Sequence, residues 1–204
     1  MACVFEQQYL PSVQRYGNAL DSAAMGSLCL SMVLGTWLAS GAATQFYHPA
    51  TDSLWWGMLA QLVHFDALHL TGNMVVLLLL RAAAGWLRLS RRLLSALLCC
   101  TLMVSMGLHF EYSPLAWYVG LSGALYGVSA WLLLEFIQLA PPWGGRACAY
   151  GVFLLIAVKV AFGIGTALFV MPVAHSAHLY GFMAGVIFSL LATMGRYLRL
   201  RMYA

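Results

Sequence analysis

The chain has 204 residues, of which 63% are hydrophobic and only 8% are charged, and its mean hydropathy is +0.84. This composition excludes an ordinary water-soluble domain and is typical of a protein with several membrane-spanning helices. The net charge of +4 comes from arginines that lie mostly on one predicted side of the membrane. It gives no indication of nucleic-acid binding.

Six apolar stretches are long enough for membrane helices, which need roughly 20 residues to cross a hydrocarbon core of about 30 Å. They cover approximately residues 20–40, 68–87, 92–109, 120–138, 147–165 and 175–194. The spans leave no room for a soluble catalytic domain, so any chemistry must lie among the helices. The sequence therefore predicts an all-α membrane protein with six transmembrane helices, forming a single domain over residues 1–204.

The basic residues alternate along the chain in a way that predicts its orientation. Eight of the ten Lys and Arg lie in the N-terminal segment, the loops after the second, fourth and sixth spans, and nearby helix ends. The loops at about 41–67, 110–119 and 166–174 contain none. By the positive-inside rule these three loops face outward, and the N and C termini are cytoplasmic. The first 19 residues lack a basic n-region and a cleavage site, so the first span is predicted to be retained.

The loops contain two kinds of local signal. The first outer loop has a dense set of aromatic residues, which favours interfacial anchoring at the headgroups. These residues are Phe46, Tyr47, Trp55, Trp56 and Phe65. Alternatively, this apolar loop lies partly in the outer leaflet and shapes lateral access. Pro141, Pro142, Gly144 and Gly145 predict an inner turn, and Pro172 helps to start the last span.

A Gly-x-Ser-Gly motif at residues 120–123 opens the fourth span. Flanking glycines let another backbone or a substrate carbonyl approach Ser122, and a helix that begins there directs unpaired amide donors to the same place. The alternative is a close contact between helices through small residues, which the motif alone favours equally.

The histidines provide a base for this serine. All six lie in outer loops or at the outer ends of spans, where a strongly polar residue indicates a functional site. His69 and Asn73 are four residues apart and share a face of the second span. His178 opens the sixth span, and Gly181 and Gly185 lie on its own face.

Small residues on two spans predict how the site assembles. Gly123 and Gly127 on the fourth span match Gly181 and Gly185 on the sixth, and close packing there would bring Ser122 within hydrogen-bond reach of His178. A serine hydroxyl needs such a base because it is a weak nucleophile. The backbone amide of Ser122 and the side chains of His69 and Asn73 are available as oxyanion donors.

With these motifs the chain resembles the rhomboid intramembrane serine proteases over nearly its whole length. The family motifs correspond to His69 and Asn73 on the second span, residues 120–123 on the fourth, and Ala-His-x-x-Gly-x-x-x-Gly at 177–185 on the sixth. The resemblance implies a six-helix rhomboid fold in which Ser122 is the nucleophile, His178 the base, and His69 with Asn73 the oxyanion hole. It also implies that Tyr126 packs against the catalytic imidazole. Gly120, Gly123, Gly181 and Gly185 support this dyad.

A closer resemblance is to the rhombosortase branch, through residues 117–123, Lys159, and residues 172–174 with 177–181. It implies a multi-pass protein of the bacterial inner membrane whose active site opens towards the periplasm. The implied substrates are exported proteins with a C-terminal sorting signal (GlyGly-CTERM): a Gly-Gly motif, a transmembrane helix and a basic tail. Water or another amine, such as that of a lipid headgroup, would resolve the acyl-enzyme.

The chain also departs from the family. Rhomboids commonly carry Trp-Arg in the first outer loop, whereas Gly57 follows Trp56 here. Neither His175 nor Ser176 fits a third catalytic residue, so a Ser-His dyad without cofactor is predicted.

Charged and polar residues near the membrane interior have less definite roles. Lys159 is expected to have either a structural partner in the bundle or a role near the substrate, and His64 is expected to give structural support. A direct pair between Glu135 and Lys159 is not expected because they lie at different depths. Glu135 and Arg81 are predicted to snorkel to the cytoplasmic interface.

The sequence leaves three alternative functions. A general rhomboid protease of other transmembrane substrates shares all of the motifs. A catalytically silent rhomboid-like binder typically lacks the serine or the histidine, and this chain has both. A metal site or transporter built from the six histidines would lack an HExxH motif, and the five cysteines predict neither a zinc site nor a disulfide framework.

Overall fold

The computed structural model describes residues 22–38, 47–49, 51–111, 117–139, 145–163 and 175–202. These residues form seven α-helices: α1 Ser22–Leu38, α2 Leu54–Ala60, α3 Ala67–Trp86, α4 Ser90–Phe110, α5 Ser122–Leu139, α6 Gly145–Phe162 and α7 His175–Met202. The described residues contain no named strand, only a single bridge between Tyr47 and Tyr118.

The predicted spans correspond to six of these helices, with differences at their ends. Five helices, α3 to α7, are long and apolar enough to cross a membrane, whereas the described part of α1 is 17 residues long. The count of six spans and the cytoplasmic termini therefore stay predictions. Helix α7 continues to Met202, eight residues past its predicted end at 194, because the Arg and Leu residues that follow the apolar stretch are good helix formers.

Helix α5 lies at the centre of the bundle. Ten of its 18 residues are buried, among them Trp131 with no exposed surface. It packs against α3, α4, α6 and α7, as a helix that is apolar on all sides should. Its first residue is Ser122, so the serine is attached to the most enclosed element of the fold.

Glycines bring α5 and α7 into backbone contact. A Cβ at Gly181 would meet the Gly123 carbonyl, and a Cβ at Gly185 would meet the Gly127 carbonyl. This is the contact between the fourth and sixth spans that the glycine spacing predicts, and a side chain at either α7 position would force the helices apart.

The first outer loop contains more secondary structure than the sequence predicts. It contains α2, which Gln61 anchors to α4: Nε2 of Gln61 donates to the Thr101 carbonyl and to Ser105 Oγ, both at 2.9 Å. Trp55 is exposed, as an interfacial anchor would be, but Tyr47 is completely buried. The interpretation of Tyr47 as an interfacial ring is therefore wrong, because its hydroxyl lies 3.0 Å from Nδ1 of His109 and its ring packs against Gly57.

The prediction that Glu135 snorkels to the interface is also wrong. Glu135 is 1% exposed, and Nη1 of Arg196 on α7 donates to both of its carboxylate oxygens. Arg81 donates to Ser90 Oγ at 3.1 Å. Glu135 and Lys159 have different partners, as their depths predict.

Several predicted features lie outside the described residues. They are Arg15, Phe46, Pro141, Pro142, Gly144, Pro172 and the whole third outer loop at 166–174.

Candidate active site

Ser122 and His178 meet at one end of the bundle. Oγ of Ser122 lies 3.0 Å from Nε2 of His178, within hydrogen-bond distance, although the residues are 56 positions apart. Ser122 is half-buried and His178 is 8% exposed. The first residue of α5 thus faces the first turn of α7, in a geometry that lets the imidazole accept the hydroxyl proton.

The backbone contact between α5 and α7 fixes this separation. A Cβ at Gly123 would lie 2.9 Å from the carbonyl oxygen of Ala177, the residue that precedes His178. Gly123 and Gly181 therefore set how closely the side chains of Ser122 and His178 approach each other. A larger residue at either position would therefore separate Ser122 from His178.

The turn before Ser122 requires glycine. Gly120 has a φ of +100°, a conformation that favours glycine. Its N–H donates to the Ala60 carbonyl at 3.2 Å and its carbonyl accepts from the Tyr118 hydroxyl at 2.7 Å. A Cβ at this position would lie 2.5 Å from Cε1 of His69. The turn is thus held on both sides while His69 covers it.

The side chains of His69 and Asn73 lie next to this turn. Asp66 caps α3 by accepting from the His69 N–H at 2.7 Å, which fixes His69 in the first turn. Nδ2 of Asn73 would be 3.5 Å from a Cβ at Gly120. It is buried and has no hydrogen-bond partner among the described residues. A buried donor of this kind is suited to an oxygen that becomes negatively charged next to Ser122.

Tyr126 and Lys159 extend the arrangement to α6. The Tyr126 ring packs on the His178 imidazole with ring centroids 4.4 Å apart. The Lys159 ammonium donates to the Tyr126 hydroxyl and lies 4.9 Å from the centre of its ring. The partner of Lys159 is therefore a side chain of α5 that touches His178.

The ring of His64 packs against the ring of His69. His64 is 3% exposed, its backbone N–H donates to Thr36 Oγ1 at 3.1 Å, and its ring meets that of His69 edge-on with centroids 5.0 Å apart. Burial, and next the neighbouring His69, lower the pKa of His64 to about 4. His64 is therefore neutral at neutral pH, which suits a packing role between α1 and α3.

Tyr118 secures the loop that leads to Ser122. Its backbone pairs with that of Tyr47 at 3.1 and 2.7 Å. Burial raises the pKa of its hydroxyl, with a smaller opposing contribution from the Gly123 backbone. Tyr118 therefore stays protonated and can keep donating to Gly120.

The arrangement suits acyl chemistry at a serine. Among the residues that the structure describes, no three His, Cys, Asp or Glu side chains are grouped closely enough to hold a metal ion. The groups that meet at this end of the bundle are a hydroxyl, an imidazole and hydrogen-bond donors.

Comparison with known proteins decides the family. The family model for the Rhomboid domain matches residues 51–195, which is more than two thirds of the chain. The chain belongs to the rhomboid family. Rhomboids are intramembrane serine proteases, and the match includes every residue of the site from His64 to His178. No curated protein and no solved structure gives a match.

Sequence reasoning missed three supports of this rhomboid site. Tyr118 holds the turn before Ser122, Gln61 holds α2 against α4, and Thr36 holds His64. Gln61 was detectable because an amide side chain in an apolar segment requires buried partners. The partners themselves lie on other helices and could not be identified from the sequence.

Proposed function

We propose that this rhomboid is an active intramembrane serine endopeptidase that uses a Ser122–His178 dyad. The observation that carries the proposal is the 3.0 Å separation of Ser122 Oγ and His178 Nε2. A catalytically silent binder has no need for this pairing, since a buried histidine could be satisfied by any donor.

The reaction begins when Oγ of Ser122 attacks a substrate carbonyl carbon while Nε2 of His178 takes the hydroxyl proton. The carbonyl oxygen becomes an oxyanion, for which the Ser122 backbone N–H, Asn73 Nδ2 and the His69 side chain are the proposed donors. His178 then gives its proton to the leaving amine as the peptide bond breaks. The product of this step is an acyl-enzyme on Ser122.

We further propose a rhombosortase-type specificity for substrates with a Gly-Gly motif next to a transmembrane helix. The turn before Ser122 lies against the His69 ring with no space for even one added carbon at Gly120. Such tight surroundings support small residues at the scissile bond. The matching motifs at residues 117–123, 177–181 and Lys159 support the same branch.

The distribution of arginines supports cytoplasmic termini and a site that opens to the opposite side of the membrane. The rhombosortase resemblance implies that the membrane is a bacterial inner membrane and that the site opens towards the periplasm. There it would process exported proteins that end in a transmembrane helix and a basic tail. Water, or an amine such as that of a lipid headgroup, would attack the acyl-enzyme and release the new C-terminus.

A cleavage assay in membranes tests this proposal. The substrates are a protein with Gly-Gly before its transmembrane helix, the same protein with both glycines replaced by valine, and a generic rhomboid substrate. We expect cleavage after or between the glycines by the intact enzyme, and none by Ser122→Ala or His178→Ala.

The possible results separate the alternatives. Cleavage of only the generic substrate would retain the dyad and reject the Gly-Gly specificity, whereas cleavage of no substrate would favour the silent binder. The intact mass of the product distinguishes the resolving nucleophiles. A free carboxylate on every mature product would reject transfer to an amine.

A further inference from the structure

A cavity of about 390 Å³ lies between the start of α4 and the end of α7. Its polar lining includes Arg92 from α4 and Arg196 and Arg199 from α7, and its apolar lining includes Phe188 and Leu191. None of these residues takes part in the proposed reaction. We call this space the arginine cavity.

Among the described residues, the positive charge of the arginine cavity is only partly neutralised. Arg196 is paired with Glu135 and also donates to Gln138 and Thr193. Arg92 and Arg199, in contrast, have no acidic partner among the described residues. Two guanidinium groups from different helices therefore flank one cavity. Phosphate is one of the anions that such planar, multiply donating groups bind well.

The position of the arginine cavity along the bundle suggests where the phosphate comes from. Arg196 is 18 residues after His178 on the same helix, which at 1.5 Å per residue places it about 27 Å from the Ser122 end. This distance is close to the thickness of the hydrocarbon core, about 30 Å. The arginines therefore lie at the level of the headgroups on the opposite side of the membrane.

The apolar lining extends from that level towards the membrane interior. Leu191 and Phe188 precede Arg196 on α7 by one and two turns, and Leu191 is 61% exposed on the surface of the bundle. The cavity is thus positive at the headgroup end and apolar towards the middle of the bilayer, which is the polarity of a phospholipid. A free phosphate ion would contact only the positive end of the arginine cavity and not its apolar lining.

We propose that the arginine cavity binds an anionic phospholipid, with its phosphate between Arg92 and Arg199 and an acyl chain along Phe188 and Leu191. Basic cavities between transmembrane helices are suited to such headgroups. The bound lipid would connect α4 to α7, the helix that carries His178. This proposal is independent of the proteolytic activity.

Native mass spectrometry of the purified full chain in detergent tests the proposal, with phosphatidylglycerol, phosphatidylcholine or inorganic phosphate added separately. The test variant is Arg92→Gln with Arg199→Gln. The matched control is Arg91→Gln with Arg201→Gln, which removes the same charge from the same two helices outside the cavity lining. Thermal unfolding without lipid verifies that all three proteins are folded.

We expect one retained phosphatidylglycerol on the wild type and on the control, and binding about 30-fold weaker in the test variant. The proposal would be overturned if the wild type retained phosphatidylcholine as well as phosphatidylglycerol, if the control lost as much binding as the test variant, or if the test variant kept full binding. Retention of inorganic phosphate in place of the lipid, with the same dependence on Arg92 and Arg199, would overturn the lipid assignment and identify a soluble phosphate as the ligand.

Discussion

Glu135 on α5 and Arg196 on α7 form an ion pair at the end of the bundle opposite Ser122, with Nη1 of the arginine 2.9 Å from Oε2 of the carboxylate. The two helices that carry Ser122 and His178 are therefore joined at both ends, by glycine contacts near the site and by this pair far from it. Both connections stabilise the packing of α5 against α7.

Breaking the pair from its two sides should have unequal effects. Arg196→Gln leaves the carboxylate of Glu135 buried without its cation, and we expect a loss of about 2 kcal/mol of stability, discounted for the partial exposure of the arginine. Glu135→Gln removes the buried charge itself and should cost about 1 kcal/mol. Unfolding midpoints in lipid-free detergent measure both, with exposed Arg199→Gln as the control. An equal effect of the two changes would show that the pair is not effectively buried.

Gly181→Ala should disrupt the site by separating α5 from α7. Its Cβ would overlap the backbone carbonyl of Gly123, which cannot move without displacing Ser122, and we expect a loss of about 3 kcal/mol together with the loss of activity. Gly195→Ala on the same helix is the control. It has nothing within 4 Å of the added carbon and should be neutral or more stable by about 0.5–1 kcal/mol. A tolerated Gly181→Ala would contradict the close contact.

Lys159 should act on the reaction through Tyr126. Lys159→Met and Tyr126→Phe remove the same hydrogen bond, so each should lower kcat about tenfold with little change in KM. The double variant should be no worse than either single one, because the two residues act as a unit. Leu155→Met, at an exposed position of α6, is the control. A raised KM in Lys159→Met, additive with Tyr126→Phe, would instead indicate direct contact with substrate.

The buried neutral His64 should make the fold sensitive to acid. Burial lowers its pKa from 6.5 to about 4, so between these values the unfolded state binds the proton more strongly. Stability from this group is complete above pH 6.5 and is lost as the pH falls towards 4, by about 3 kcal/mol. His64→Gln should therefore lose less stability over this interval than the wild type. The Gly195→Ala control, which removes no titratable group, should behave as the wild type does. An unchanged pH dependence in His64→Gln would show that His64 is not the group responsible.

The sequence predicted those parts of the site that depend on spacing within one helix. Gly181 and Gly185 follow His178 at helical intervals, and such a stripe predicts a close helix contact whatever the partner. The matching stripe of Gly123 and Gly127 next to Ser122 predicted the partner helix, and the family resemblance added the roles of the residues.

The pairs between helices were harder to predict because they depend on rotation about each helix axis. Glu135 and Arg196 are 61 positions apart, and the depth of Glu135 in the membrane agreed with snorkelling as well as with pairing. Lys159 and Tyr126 were each recognised, but their contact requires the faces of α5 and α6 to be known. The burial of Tyr47 depends on the glycine at position 57, whose role only the packed structure reveals.

The most direct test of the central claim is covalent labelling of the purified protein by a fluorophosphonate, followed by peptide mass mapping. We predict a single adduct on Ser122 that is absent in Ser122→Ala and His178→Ala. It should persist in Ser129→Ala, which removes a hydroxyl of the same helix that bonds only to the Leu125 carbonyl among the described residues. An adduct that persists in His178→Ala, or its absence from the folded wild type, would contradict the Ser122–His178 dyad.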